Sequence, residues 1–369
     1  MKDKAFLEKI VEGNTKVLVY KNKKKDKGPG SKEGVPFYNP SMELNRDLSI
    51  VFSQWMVNSS KKKIRILDGL AASGIRGVRI ANEVDGDFEV LINDWNDDSY
   101  TLILKNIKEN KLKNVEASHR NLNALLSEQS FDYIDVDPFG SPADFVDSAV
   151  RSIKNNGVIS FTATDTATLC GVYPKVCWRR YGAMPFHSVA MKEVAIRILI
   201  GFICKTAGIH DKGIKPVLSY CTDHYFRVYV KFFNSVSKAN SSMSKLKVVK
   251  SGEMVGIDKT DKDVGPIWMG DIQDKKTLSE LREIVFEKKL GRKNEVWKLI
   301  DLLEEEADAP MFFYTTEGLA SLLKTSSPKL EYFFERIRKQ GYNINKTHII
   351  PTGFKTNAPL KVIQKVFKQ

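Results

Sequence analysis

Cysteine and histidine are scarce in this 369-residue chain, with four Cys (Cys170, Cys177, Cys204, Cys221) and five His. No CxxC pair occurs, and His119, His187 and His224 form no cluster at ligand spacing, so neither a disulfide framework nor a zinc site is readable and no metal is expected. A reducing cytoplasm is the expected home. Long apolar runs are also missing, none approaching the roughly 20 residues of a membrane helix. The opening MKDKAFLEKIVEG lacks a signal-peptide core, so neither membrane insertion nor export is expected. Acidic residues are in the minority: 45 Asp and Glu face 58 Lys and Arg, a net charge of +13 concentrated at residues 21–27, 61–63 and the C-terminal tail. Such an excess favours polyanionic partners.

What is present is a globular composition, 42% hydrophobic and 28% charged, on a chain long enough for two domains. Residues 64–233 alternate apolar runs with helical patterns, as repeated strand–helix units of a mostly parallel α/β sheet do. Strands are predicted at 64–70, 88–93, 115–118, 131–137 and 157–164, with helices to residue 83, over 96–110, 142–154 and 189–207. Two last strands, 217–221 and 225–233, are too close in sequence to be parallel neighbours and are expected to pair antiparallel. Residues 234–266, rich in Ser, Lys, Asp and Gly, are expected as a linker or exposed excursion. The expected domains are 1–233, carrying the sheet with an N-terminal extension, and 234–369, a smaller α+β unit with helices over 277–289 and 295–306.

Three strand ends carry candidate chemistry. After the first, Asp68-Gly69-Leu-Ala-Ala-Ser73-Gly74-Ile-Arg76-Gly77 is a glycine-containing turn whose backbone can approach a ligand closely. After the second stands Asp94, placed to hydrogen-bond ribose hydroxyls or to cap the helix that follows. After the fourth, Asp137-Pro138-Phe139-Gly140 joins an acid, a φ-fixing proline and an aromatic. An exocyclic base amine is a poor nucleophile because its lone pair is delocalised, and an acceptor such as Asp137 can draw on its N–H and aim the nitrogen. Phe139 can stack an extruded base. Asp135, on the same face one pleat deeper, is a secondary candidate. Dinucleotide binding is a rival for the glycine turn, but the catalytic residues that go with it are not apparent.

Together these residues resemble the class I S-adenosylmethionine-dependent methyltransferases that act on amino groups. Phe139 directly after Pro138, followed by Gly140-Ser141-Pro142, is similar to the tRNA guanine-26 N2-dimethyltransferase family. So are Phe37-Tyr-Asn-Pro-Ser-Met-Glu-Leu-Asn-Arg-Asp47, Thr162-Ala-Thr-Asp-Thr-Ala-Thr-Leu-Cys-Gly171, Arg180-Tyr-Gly-Ala183, Asp223-His-Tyr-Phe-Arg-Val-Tyr229, Gly265-Pro-Ile-Trp268, Gly341-Tyr342 and Thr356-Asn-Ala-Pro359.

The resemblance implies a Rossmann-like sheet with an antiparallel last strand. It implies methyl transfer from S-adenosylmethionine to N2 of the guanine between the D-stem and the anticodon stem, with tRNA as partner. By it Arg46 would bind the methionine carboxylate of the cofactor, with Asp68, Gly69, Ser73, Gly74, Arg76 and Asp94 completing the site. Asn121 and Leu122 would take the adenine, where family members often carry an Asp. The cysteine zinc cluster of related archaeal members has no counterpart among residues 234–263. A monomer is expected. Methylation of DNA adenine or of a protein amide, and a non-catalytic tRNA-binding module, are the alternatives.

Overall fold

The computed structural model describes residues 7–20, 36, 38–222, 224–255 and 261–368. The lysines of residues 21–27, Phe37 and Asp223 lie outside the described residues. The chain opens with a hairpin, β1 (Leu7–Glu12) and β2 (Thr15–Tyr20), then α1 (Glu43–Asn58). Next come β3 (Ile64–Asp68), α2 (Ile75–Glu83), β4 (Phe88–Asn93), α3 (Asp97–Glu109), β5 (Val115–Ser118), α4 (Leu122–Glu128), β6 (Phe131–Val136), α5 (Ala143–Ser152) and β7 (Ile153–Ala163). Helices α6 (Thr166–Leu169), α7 (Pro174–Tyr181) and α8 (Met191–Ile209) lead to β8 (Lys212–Cys221) and β9 (Phe226–Asn234).

Seven strands form one sheet in the order β5-β4-β3-β6-β7-β9-β8. The first five are mutually parallel, whereas β9 runs antiparallel to both β7 and β8. This is the expected Rossmann-like methyltransferase sheet. Its strands read as unbroken apolar runs because both faces are covered. One face packs Leu125, Val146 and Ile198 of α4, α5 and α8; the other packs Phe52, Val78 and Ile103 of α1, α2 and α3.

The stretch expected as a linker is instead ordered over most of its length. It holds α9 (Val236–Met243), β10 (Leu246–Lys250), α10 (Ser251–Val255) and β11 (Asp263–Trp268), with β10 and β11 paired antiparallel. Val264, Ile267 and Trp268 join the α8 core, so few apolar residues suffice to anchor a polar segment. Helices α11 (Lys275–Glu287) and α12 (Lys293–Glu306) then pack Leu281 and Ile300 into the α1 layer. A separate core forms only after that, from β12 (Tyr314–Thr315), α13 (Thr316–Leu323), α14 (Leu330–Lys339), β13 (Ile344–Lys346), β14 (Gly353–Thr356) and α15 (Leu360–Phe367).

A buried ion cluster ties this last unit to the sheet domain. Glu193 on α8 accepts the Phe312 N–H (2.9 Å), pairs with Arg197 (2.8 Å) and lies 3.0 Å from Lys355 Nζ on β14. Burial pushes the Glu193 carboxyl up, but Lys355 and Arg197 outweigh it and hold it at about 2, against an ordinary value of 4.5. A depressed acid contributes stability above its unfolded value and loses it as pH falls through its folded one. The gap in urea midpoint between wild type and Glu193→Gln should therefore be widest above pH 4.5 and close as pH falls toward 2. A gap independent of pH would contradict the pairing.

Candidate functional site

The loops after β3, β4 and β6 meet along one edge of the sheet. Ala72 and Gly74 take left-handed backbone angles (φ +49° and +75°), which lets the chain turn sharply into α2. Gly69 N–H donates to the Asp135 carbonyl and Ala71 N–H to the Asn93 carbonyl, each at 3.0 Å. Asn93, buried at the end of β4, donates to the carbonyls of Gly69 (3.0 Å) and Arg120 (3.1 Å) and accepts from Arg120 N–H (3.2 Å). One amide thus fixes three strand-end loops to one another.

Asp68 lies beneath the loop, its Oδ2 accepting Gly77 N–H at 2.9 Å. Burial pushes its carboxyl up to about 7 against the pull of Arg76. Asp94 accepts from Ala72 N–H (2.8 Å) through one oxygen and from Asn96 N–H (3.0 Å) through the other. The cap of α3 itself is Asn96, whose side chain accepts from Ser99 N–H, so Asp94 holds the glycine loop rather than the helix. Ser73 is buried behind that loop. Beside Asp94 projects Trp95, 71% exposed. No motif marks it; an aromatic next to a strand-end acid was the only signal. Leu122 lies under Gly69, while the Asn121 side chain caps α4 through Ala124 N–H at 3.3 Å.

At the end of β6, Asp137 is ion-paired with Arg76 of α2 and keeps 19% of its side chain exposed. Arg76 also donates to Asn45 Oδ1 and Ser49 Oγ of α1, each at 2.6 Å, and its Nε lies 3.4 Å from Asp135. Asp135 is wholly buried. It is paired with Arg227 of β9 and accepts from Ser160 (3.0 Å) and Tyr133 (3.2 Å). Burial opposes its charge, but Arg227 and Arg76 hold its carboxyl below the ordinary range. Its bonds to Arg227, Ser160 and Tyr133 tie the strand that ends in Asp137 to β7 and β9.

Pro138 is buried and Phe139 is 40% exposed. Gly140 turns with φ +80°, where an added Cβ would meet nothing, so glycine serves the backbone angle there. Gly140 N–H donates to Thr164 Oγ1 (2.7 Å), and Thr164 N–H donates back to the Gly140 carbonyl (2.8 Å). Ser141 Oγ lies 2.7 Å from Tyr181 OH, which donates to Asp165 (2.8 Å). Asp165 also accepts from Arg180 (2.7 Å). Segments far apart in sequence, around residues 140, 165 and 181, are thereby drawn about one loop.

Arg46 follows Asn45, the partner of Arg76, along α1. Its Nε and Nη2 bond both oxygens of Glu12 in the hairpin, with Asn39 O accepting at 3.1 Å. All four cysteines are buried and free. Burial pushes the Cys170 thiol up to about 11 and those of Cys177 and Cys204 to about 12, far from nucleophilic thiolates. Among the described residues no group of three or more His, Cys, Asp or Glu is placed to hold a metal. A concavity of about 490 Å³, lined by Asp132, Asn155 and Lys215, lies at the opposite strand ends and touches none of these loops.

The family described as N2,N2-dimethylguanosine tRNA methyltransferase matches residues 13–368. The chain belongs to that family. Within the dimethyltransferase family it is 36% identical to the tRNA (guanine(26)-N(2))-dimethyltransferase of Pyrococcus abyssi over 98% of each chain. It is 37% identical to that of Thermococcus kodakarensis over 97% and 98%. Trm1 from Pyrococcus horikoshii, solved with S-adenosyl-L-methionine, superposes with a TM-score of 0.87 at 35% identity, over 98% of this chain and 100% of that one. Family membership sets the DNA, protein-amide and non-catalytic alternatives aside. The donor set fits such a nucleoside cofactor. Asp94 retains acceptor capacity for ribose hydroxyls and Trp95 offers an exposed ring beside it, while Gly69 and Gly74 let the turn pack closely on Leu122 and Ile103 beneath it.

Proposed function

We propose that this chain transfers methyl groups from S-adenosylmethionine to N2 of guanine 26 in tRNA, giving N2-methylguanosine and then N2,N2-dimethylguanosine. The reading is carried by Asp137, held by Arg76 at the same sheet edge as Asp94 and followed by the exposed Phe139. When bound, the cofactor supplies a methyl group on a sulfonium sulfur. Asp94 would accept the ribose hydroxyls, the loop from Asp68 through Gly69, Ser73 and Gly74 would hold the methionyl chain, and Trp95, Asn121 and Leu122 would hold the adenine. Arg76 positions Asp137.

Phe139 stacks the extruded guanine, and buried Pro138 fixes the turn that presents it. Asp137 accepts one N2–H, so the nitrogen lone pair turns toward the methyl carbon. The N–C bond would form as the cofactor's S–C bond broke, with the proton passing to Asp137 and on to water. The monomethyl product keeps one N–H, which the same carboxylate accepts in the second round.

We assign cofactor and base to residues 1–233 and the grip on tRNA to 234–369, working as a cytoplasmic monomer. Because phosphates supply most of such binding, tRNA affinity should fall by about a thousandfold between 50 and 200 mM salt; a flat salt response in filter binding would contradict an electrostatic grip. The function is tested by methyl incorporation from labelled cofactor into an unmodified transcript. We expect incorporation with guanine at position 26 and none with adenine there; equal labelling of both would overturn the assignment.

A further inference from the structure

We propose that the exposed face of α7 with the turn before it, Val172 to Arg180, is the platform that receives the bases flanking the extruded guanine. The inference rests on the tRNA reading above and names the surface that reading leaves unassigned. Helix α7 is divided lengthwise. Cys177 and Tyr181, four residues apart, are fully buried, whereas Lys175, Trp178 and Arg179 share the outward face. Trp178 is 55% exposed, Tyr173 56% and Val172 51%, an apolar concentration unusual for free surface.

Its charge is one-sided. Residues 166–192 contain no Asp or Glu, but they contain Lys175, Arg179, Arg180 and Lys192. Among the described residues neither Lys175 nor Arg179 has an ion pair. Aromatic rings interleaved with cations suit single-stranded nucleic acid, whose bases stack while phosphates meet the charges.

The position fits as well. Tyr181, at the inner end of α7, meets Ser141 at 2.7 Å, two residues beyond Phe139. Trp178 stands less than one turn back, about 4.5 Å along the axis. Extruding one base unstacks its neighbours, and exposed rings on the helix that meets this loop replace the lost stacking.

The test compares wild type with Trp178→Ala/Tyr173→Ala, Lys175→Glu/Arg179→Glu and Trp178→Phe. Loss of the rings should lower kcat/KM for tRNA about tenfold or more, mainly through KM, and Trp178→Phe should restore most of it. Charge reversal should weaken tRNA binding most at low salt. Cofactor affinity and the unfolding midpoint should not move in any of these. A 2-aminopurine placed next to the target guanine should be quenched by wild type and not by Trp178→Ala. An active wild type alongside variants with unchanged tRNA KM and affinity would overturn this surface alone. So would a dimer that dissociates in Trp178→Ala/Tyr173→Ala with tRNA binding intact, which would give the face to a second copy. A wild type that neither binds nor methylates tRNA would overturn the function and the surface together.

Discussion

Asp137→Asn is expected to lower methyl transfer by about a thousandfold while cofactor affinity, measured by equilibrium dialysis, stays within a few-fold of wild type. The substitution preserves shape but removes the charge that accepts the guanine N–H and later its proton. No neighbour replaces it. Asp135 shares Arg76 with it, but its oxygens are taken up by Arg227, Ser160 and Tyr133 in a site closed to solvent. The lost ion pair leaves Arg76 bonded to Asn45 and Ser49, so α2 and the glycine loop keep their place. Asp94, which would hold the ribose, is untouched. Turnover near the wild-type rate would remove Asp137 from the mechanism.

Arg227→Met is expected to act on stability instead, costing about 3–5 kcal/mol because it strands a buried carboxylate. Arg227 is fully buried and donates to Asp135, to Thr162 Oγ1 (2.7 Å) and to Ser160 (3.0 Å). Without it Asp135 retains only Arg76 as a cationic partner. Arg227→Met combined with Asp135→Asn should recover part of the loss, since the uncompensated charge is then gone. Urea midpoints of the single and double variants measure this. An unchanged midpoint in Arg227→Met would mean that the network bears no weight.

Strands were legible because burial on both faces writes them as apolar runs: the predicted bounds at Phe88–Asn93 and Val115–Ser118 coincide with β4 and β5. The residues at strand ends were legible for a related reason, since loops after parallel strands meet at one edge whatever their separation along the chain. Pairings across long separations were not. Nothing local links Arg46 to Glu12, 34 residues away, or Arg227 to Asp135, 92 away. The hairpin of β1 and β2 was obscured by lysines and glutamates on its exposed side. The segment from 234 to 266 misled through its average composition: Met254 and Val264, which join the core, are diluted by many polar neighbours.

The account stands most directly on which atom of tRNA receives the methyl group. Nucleoside mass spectrometry of a transcript incubated with the protein and S-adenosylmethionine should show N2-methylguanosine appearing first and N2,N2-dimethylguanosine after it, and neither with Asp137→Asn. Methylation at a ring nitrogen or ring carbon, or the same products from the Asp137→Asn variant, would contradict it.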